Sequence, residues 1–135
     1  MTSDAVFLDT VGLIALWDES DQWHDVAEAA FQSLRSARAE LVTTTFILLE
    51  CGNAASRRPY RSAVDDLREI LETSNALLTP TDADWESAWA AYRRGEADLA
   101  GIVDHVSFAV MRRLGITSAF TNDRHFAAAG FMTLF

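Results

Sequence analysis

The stretch VFLDT at residues 6–10 decides the fold prediction for this chain. The apolar run that begins at Ala5 and ends at Leu8 is too short for a helix and predicts a buried β-strand. Asp9 and Thr10 follow at once, and the apolar residues of 11–17 then predict a short helix. A strand that leads through an acid directly into a helix is typical of the first unit of an α/β fold.

Strands and helices alternate along the rest of the chain. Further strands are predicted over 41–43, 76–78, 116–121 and 132–135. Helices are predicted over 21–37, from 45 towards Pro59, through 64–71, and over 82–95 and 101–114, with Asp21, Thr44 or Thr45, and Asp82 as N-caps. The alternation predicts a three-layer α/β/α sandwich with a mainly parallel central sheet. No linker or repeat divides the sequence, so residues 1–135 are expected to form a single domain.

Composition excludes several classes of protein. Half of the 135 residues are hydrophobic, which is enough to bury a core without disulfides and excludes a disordered protein. The formal net charge is −9, and all eleven basic residues are arginine. This balance argues against a protein that holds nucleic acid through a broad basic surface.

The expected compartment follows from the cysteine count and the hydropathy pattern. The lone Cys51 excludes an internal disulfide framework and a cysteine-rich zinc site, and it fits a reducing compartment. No apolar run approaches the roughly 18 residues of a membrane span. The N-terminal stretch MTSDAVFLDT is acidic where a signal peptide is basic. We therefore expect a cytoplasmic protein without a membrane partner.

Four acids occupy positions where a ligand would bind. Asp9 and Asp123 each follow a predicted strand, and Glu50 and Asp104 lie early in predicted apolar helices. Ligands of a parallel sheet bind beyond the carboxyl ends of its strands, so these acids are candidates for one site. Taken singly, each has a simpler explanation, because Asp9 and Asp123 can cap a helix or form a turn and the other two can be solvated helix acids.

A cluster of these acids would need a counter-charge. The basic residues nearest to them in sequence are His105, Arg124 and His125. Convergent carboxylates repel one another unless some are protonated or a divalent cation is bound. Mg²⁺ or Mn²⁺ is the expected ion, since both prefer oxygen ligands, and such a site can activate water beside a phosphate. The chemistry that this predicts is phosphodiester hydrolysis.

Four segments of the chain together resemble the PIN domain. They are VFLDT at 6–10, LVTTTFILLE at 41–50, DLAGIVDHVSFAVMRRLGI at 98–116 and AFTNDRHFAAAGF at 119–131. Their order and spacing are similar to those of toxin ribonucleases of the VapC type, and the resemblance spans nearly the whole chain. Ala100-Gly101 departs from the Ser-Leu or similar pair of many relatives, which leaves the cap of the following helix open.

The resemblance implies a PIN-like fold and a Mg²⁺- or Mn²⁺-dependent endoribonuclease that cleaves single-stranded or structured RNA by metal-activated water. The matching catalytic and metal-binding positions are Asp9, Glu50, Asp104 and Asp123, with Asp9 and Asp104 as the firmest ligands. It also implies a toxin that pairs with a cognate antitoxin protein and forms a homodimer. From the charge of the four acids, an antitoxin Arg or Lys is expected at the acidic rim, beside an apolar contact near Trp17 and Trp23.

Several neighbouring residues receive secondary roles. Thr10 and Thr121 match small hydroxyl positions beside the acids, and Asp98 matches an acid that precedes the Asp104 helix. His105 and His125 are expected to contact the acids of the site without binding metal or substrate, or to lie at the surface. Arg57, Arg58 and Arg61 are candidates to hold RNA phosphates, whereas Arg112 and Arg113 are better explained as a helix end.

Two other functions remain open at this point. A phosphatase could use Asp9 as a covalent nucleophile, although Val11 stands where such enzymes carry a second acid. A catalytically inert PIN-like module that binds RNA or protein is the non-enzymatic alternative.

Overall fold

The sheet places the strand of the VFLDT stretch at its centre. The computed structural model describes residues 3–135, and its strands are β1 (Ser3–Leu8), β2 (Leu41–Thr44), β3 (Leu77–Leu78), β4 (Ile116–Phe120) and β5 (Met132–Thr133). They are hydrogen-bonded in the order β3-β2-β1-β4-β5, and every neighbouring pair is parallel. The carboxyl ends of β1 and β4 therefore lie side by side at one edge of the sheet.

Helices cover both faces of this sheet. They are α1 (Thr10–Trp17), α2 (His24–Ser36), α3 (Thr45–Ala55), α4 (Arg61–Thr73), α5 (Asp82–Arg93), α6 (Glu96–Leu99), α7 (Ile102–Leu114) and α8 (Arg124–Ala128). The chain builds β2 and β3 on one side of β1 and then β4 and β5 on the other. Right-handed crossovers thus put α1–α4 on one face and α5–α8 on the other. Accordingly, α1 contacts α2 and α3, whereas α5 packs against α7. The predicted three-layer sandwich is confirmed.

Two predicted N-caps are wrong. Helix α2 begins at His24, and Asp21 instead accepts a hydrogen bond from the backbone N–H of Trp23 at 2.8 Å in the preceding turn. Helix α5 is capped by Thr81 rather than by Asp82. Thr81 and Asp84 form a capping box, in which each side chain accepts a hydrogen bond from the backbone N–H of the other residue. This reciprocal pair satisfies two free N–H groups, which a cap at Asp82 would leave unpaired.

Two short helical segments, α6 and α8, were not predicted. Within α6, the φ angles of Ala97, Asp98 and Leu99 are 54°, 57° and 60°. These are left-handed values that no apolar periodicity reveals. Gly101 is the N-cap of α7, and this helix therefore begins without a side-chain cap.

Helix α1 lies very close to the end of β4. A Cβ atom placed on Gly12 would stand 2.0 Å from the carbonyl oxygen of Phe120. Only a glycine permits this approach, which brings the first turn of α1 next to the carboxyl end of β4. Beneath this contact the core holds the fully buried rings of Phe7, Phe108, Phe120 and Phe126.

Crossing a bilayer requires a long apolar helix, and none of the helices within residues 3–135 has that length and apolarity.

Candidate active site

Asp9 is a buried carboxylate at the carboxyl end of the central strand. It is the N-cap of α1, where its Oδ2 accepts a hydrogen bond from the backbone N–H of Val11 at 3.4 Å. Only 2% of the residue is exposed. Burial, together with the charges of Asp104 and Asp123, raises the pKa of Asp9 from 3.8 to about 7, against hydrogen bonds from Thr121 and Val11 that lower it. The residue is thus both a helix cap and a member of an acidic cluster.

Thr121 connects Asp9 to the loop that carries Asp123. Its hydroxyl donates a hydrogen bond of 2.8 Å to Asp9 Oδ2 and accepts one of 3.0 Å from the backbone N–H of Asp123. Thr121 directly follows β4, whose neighbour is β1. The parallel register therefore brings two acids that are distant in sequence to the same edge of the sheet.

Glu50 reaches this edge from α3. The Thr10 hydroxyl donates a hydrogen bond of 2.6 Å to Glu50 Oε1. Thr44 caps α3 by accepting from the backbone N–H of Ile47 at 3.2 Å, which fixes the helix on the end of β2 as predicted. Unlike Asp9, Glu50 is exposed. It forms the solvent side of the site.

Asp104 lies in the first turn of α7 and faces the other acids. Burial, together with the charges of Asp123 and Glu50, raises its pKa from 3.8 to about 6, while the charge of His125 lowers it. The charges of Asp104 and Asp123 act on Asp9, and those of Asp123 and Glu50 act on Asp104, so each of the four acids repels at least one other. Their mutual repulsion is the electrostatic signature of a site that a cation would stabilise.

His125 lies within the cluster itself, closer to the acids than the expected supporting or surface position. Oxygen or nitrogen atoms of Asp104, Asp123 and His125 lie within 4.8 Å of one another. Asp123 Oδ1 accepts a hydrogen bond from the backbone N–H of His125 at 2.9 Å and lies 2.8 Å from its Nδ1. His125 stands two residues after Asp123, the N-cap of α8, and the first turn of this helix folds the imidazole back onto the carboxylate. This spacing is the sequence signal that could have identified His125.

The donor set fits a hard divalent cation. Carboxylate oxygens dominate it, one of the acids is buried, and no arginine forms an ion pair with Asp9, Glu50, Asp104 or Asp123 among residues 3–135. Mg²⁺ and Mn²⁺ prefer such oxygen ligands, and Mn²⁺ also accepts imidazole.

His105 is a packed core residue rather than a surface group. Its ring stands edge-on to Tyr92 and Phe108, with centroids 6.4 Å and 5.6 Å away. Its Nε2 is buried and finds no hydrogen-bond partner in the described part of the chain. Burial lowers its pKa, so the neutral imidazole is favoured.

Four of the arginines named from the sequence form ion pairs or backbone contacts: Arg58, Arg61, Arg112 and Arg113. Arg58 pairs with Asp18 at 2.9 Å, and Arg61 donates to the carbonyl of Ser56 at 2.9 Å. Arg113 forms a two-pronged contact with the buried Asp84, at 3.0 Å and 2.8 Å. The role of Arg57, Arg58 and Arg61 in holding phosphate stays a prediction.

Cys51 is a buried core residue with a free thiol. Burial raises the pKa of its thiol to about 12, which keeps it protonated.

Comparisons with known proteins agree with this geometry. A family model described as the PIN domain matches residues 6–132. The 23S rRNA-specific endonuclease VapC20 of Mycobacterium tuberculosis is 32% identical over 128 residues, which cover 94% of this chain and 95% of the relative. The crystal structure of VapC20, described as a sarcin-ricin loop cleaving toxin, superposes with a TM-score of 0.77 at 29% identity, covering 95% of this chain and 97% of that one.

Proposed function

The chain belongs to the PIN domain family, and on this premise we propose that it is a metal-dependent endoribonuclease, the toxin of a toxin–antitoxin pair. The observation that carries the proposal is the meeting of Asp9, Asp104, Asp123 and Glu50 at one edge of the sheet, in a fold shared with a ribosomal RNA endonuclease. An inert module would have no need to maintain a buried carboxylate that other carboxylates repel.

We propose that Asp9 and Asp104 hold Mg²⁺ or Mn²⁺, with Glu50 and Asp123 completing the site. When bound, such an ion neutralises phosphate charge and lowers the pKa of water. The protein supplies the rigidity: Thr121 orients Asp9, Thr10 orients Glu50, and the α8 turn orients Asp123. Asp123 in turn holds the imidazole of His125, whose Nδ1 lies 2.8 Å from that carboxylate.

We propose structured RNA as the substrate, with the sarcin-ricin stem–loop of 23S rRNA as the first candidate. The support is the identity with VapC20, whose name and structure title specify that RNA. The acidic net charge of −9 makes binding by general attraction to phosphate weak, which favours recognition of a defined RNA shape.

Cleavage of a labelled stem–loop RNA by the purified chain tests the proposal. We expect cleavage in Mg²⁺ or Mn²⁺, none in EDTA, and a loss of at least about a hundredfold in Asp104→Asn, because the amide keeps the shape but removes the charge that holds the ion. Asp65→Asn, an exposed acid on α4, is the control and should keep full activity. Full cleavage in EDTA, or an unaffected Asp104→Asn, would overturn the metal mechanism.

A covalent phosphatase mechanism is not favoured by the site. Asp9 is 2% exposed, and its Oδ2 already accepts two hydrogen bonds. A nucleophilic carboxylate must instead reach the phosphorus atom. Release of phosphate from small esters by the parent chain, abolished in Asp9→Asn, would favour the phosphatase.

We also propose a cytoplasmic protein of one domain that binds a cognate antitoxin. The acidic edge suits an arginine side chain, whose planar fork matches carboxylates. Trp23 and Val26 are each 46% exposed and offer apolar surface for the same partner. Co-expression with the product of an adjacent gene should yield a complex without ribonuclease activity. A fully active complex would contradict inhibition but not the nuclease.

We further propose that the chain forms a homodimer through the aromatic row of Phe46, Trp85, Trp89 and Tyr92. Neighbouring rings of this row contact one another edge to face, yet Trp85 and Tyr92 remain 47% and 48% exposed. Light scattering should show a dimer that Trp85→Ala weakens. Trp23→Ala, at similar exposure in the turn before α2, should leave the dimer intact. A monomeric parent would contradict the proposal.

A further inference from the structure

An exposed ion pair lies next to the acidic cluster. Arg124 Nη1 is 3.1 Å from Asp98 Oδ2, and their side chains are 77% and 59% exposed. Arg124 directly follows Asp123 and is the first residue of α8. The pair therefore joins α6 to the loop that carries one of the acids.

The Asp98 side of this pair sits on strained backbone. Ala97, Asp98 and Leu99 are consecutive non-glycine residues with φ between 54° and 60°. Left-handed backbone is unfavourable for residues with a Cβ, so this conformation persists only while other contacts hold it. The Arg124 contact is one such restraint, and an exposed ion pair is weak and easily exchanged for another anion.

RNA that approaches this edge meets four acids and needs a cation. Arg124 directly follows Asp123, and its solvent-accessible guanidinium is engaged, within residues 3–135, only by the exposed carboxylate of Asp98. The guanidinium of Arg113 is instead fixed on the buried Asp84. Two oxygens of a backbone phosphate can accept two hydrogen bonds from the Arg124 guanidinium, which is a stronger contact than the one with Asp98.

We propose that Arg124 binds a backbone phosphate of the RNA and that Asp98 competes with this phosphate in the free protein. The inference rests on the proposed function and adds to it a residue that binds an RNA phosphate and a carboxylate that competes with this phosphate. Substrate binding then exchanges the Asp98 carboxylate for a phosphate. Asp98 weakens RNA binding, whereas Arg124 strengthens it.

Opposite effects of the two substitutions test this exchange. Binding of the stem–loop RNA of the cleavage assay, labelled with fluorescein, is measured by anisotropy in Mg²⁺, in an Asp9→Asn background that prevents cleavage. We expect Arg124→Ala to weaken binding about tenfold and to reduce the slope of log K against log salt by about 0.7, as the loss of one phosphate contact requires. We expect Asp98→Asn to tighten binding about two- to fivefold, the range that corresponds to an exposed ion pair.

A double variant and a control pair of substitutions on α4 are measured in the same way. Asp98→Asn with Arg124→Ala should bind like Arg124→Ala alone, because the carboxylate acts only through the arginine. Arg124→Lys should restore part of the affinity. Arg68→Ala and Asp65→Asn, which break an exposed ion pair on α4, control for net charge and should change binding less than twofold.

Three outcomes would overturn the inference. The first is unchanged RNA binding by Arg124→Ala, and the second is no measurable binding by the parent. The third is weaker binding by both single variants, as expected if the ion pair only joins α6 to α8. The melting temperature of each variant identifies any loss of folding, and Arg124→Lys keeps the test decisive if the alanine variant is unfolded. RNA cleavage by the otherwise unmodified chain is assayed separately. The exchange without cleavage would reject the nuclease but retain the phosphate contact.

Discussion

The Thr121 hydroxyl donates a hydrogen bond of 2.8 Å to Asp9 Oδ2, across 112 positions of sequence. This bond joins the carboxyl ends of two neighbouring parallel strands and favours the charged form of a buried acid. The site thus depends on a side chain that carries no charge itself.

Replacing Thr121 with Val should raise the pKa of Asp9 above its value of about 7, because the bond from Thr121 lowers it. Carbon NMR titration of the aspartate carboxyls in EDTA measures the shift. Thr121→Ser keeps the hydroxyl and should leave the pKa nearly unchanged. An unaltered pKa in Thr121→Val would contradict the role of the bond.

The free energy of unfolding should fall with rising pH in the absence of metal. The folded-state pKa of Asp9 is raised above 3.8, so the folded state binds its proton more tightly than the unfolded chain does. The stability contribution of that proton is complete below about pH 3.8 and is lost as the pH rises to about 7. At about 1.4 kcal/mol per pKa unit, the loss is about 4 kcal/mol.

Urea denaturation in EDTA between about pH 4 and pH 8 measures this effect. Asp9→Asn should flatten the profile and be more stable than the parent at the alkaline end, since an amide does not ionise. A profile of equal slope in both proteins would show that other groups cause the pH dependence.

A divalent cation should stabilise the parent at about pH 8, because binding to the folded state alone adds free energy by mass action. We expect Mn²⁺ or Mg²⁺ to raise the melting temperature of the parent and of Asp65→Asn. Asp104→Asn should respond weakly, since it lacks one ligand. An equal rise in all three proteins would indicate binding elsewhere.

Gly12→Ala should destabilise the fold by about 2 kcal/mol or more, because the new methyl group would stand 2.0 Å from the Phe120 carbonyl oxygen. The shift of α1 should also displace Asp9 and lower cleavage. Gly52→Ala, in α3 with no atom within 4 Å of the new Cβ, is the control and should stabilise by about 0.5–1 kcal/mol. Equal effects would contradict the close approach of α1 to β4.

Residues whose signals are local were predictable. The strand before Asp9, the Thr44 cap and the alternation of strands and helices all follow from patterns within a few residues, and the structure has them. The Asp82 cap failed because Thr81, one residue earlier, forms the capping box with Asp84. The Asp21 cap failed because its carboxylate accepts from the Trp23 N–H in the turn before α2, a helix that begins without a side-chain cap.

The sequence by itself determined which chemistry was available: four acids at strand and helix ends, few nearby cations and a resemblance to one family. The tertiary structure decided which groups meet. Parallel pairing of β1 with β4 placed Thr121 on Asp9, and the α8 turn brought His125 into the cluster. The left-handed segment at Asp98 and its pairing with Arg124 also arose only in three dimensions. Such contacts depend on strand order and on helices that close long loops, and these follow from the packing of the whole core rather than from any local pattern.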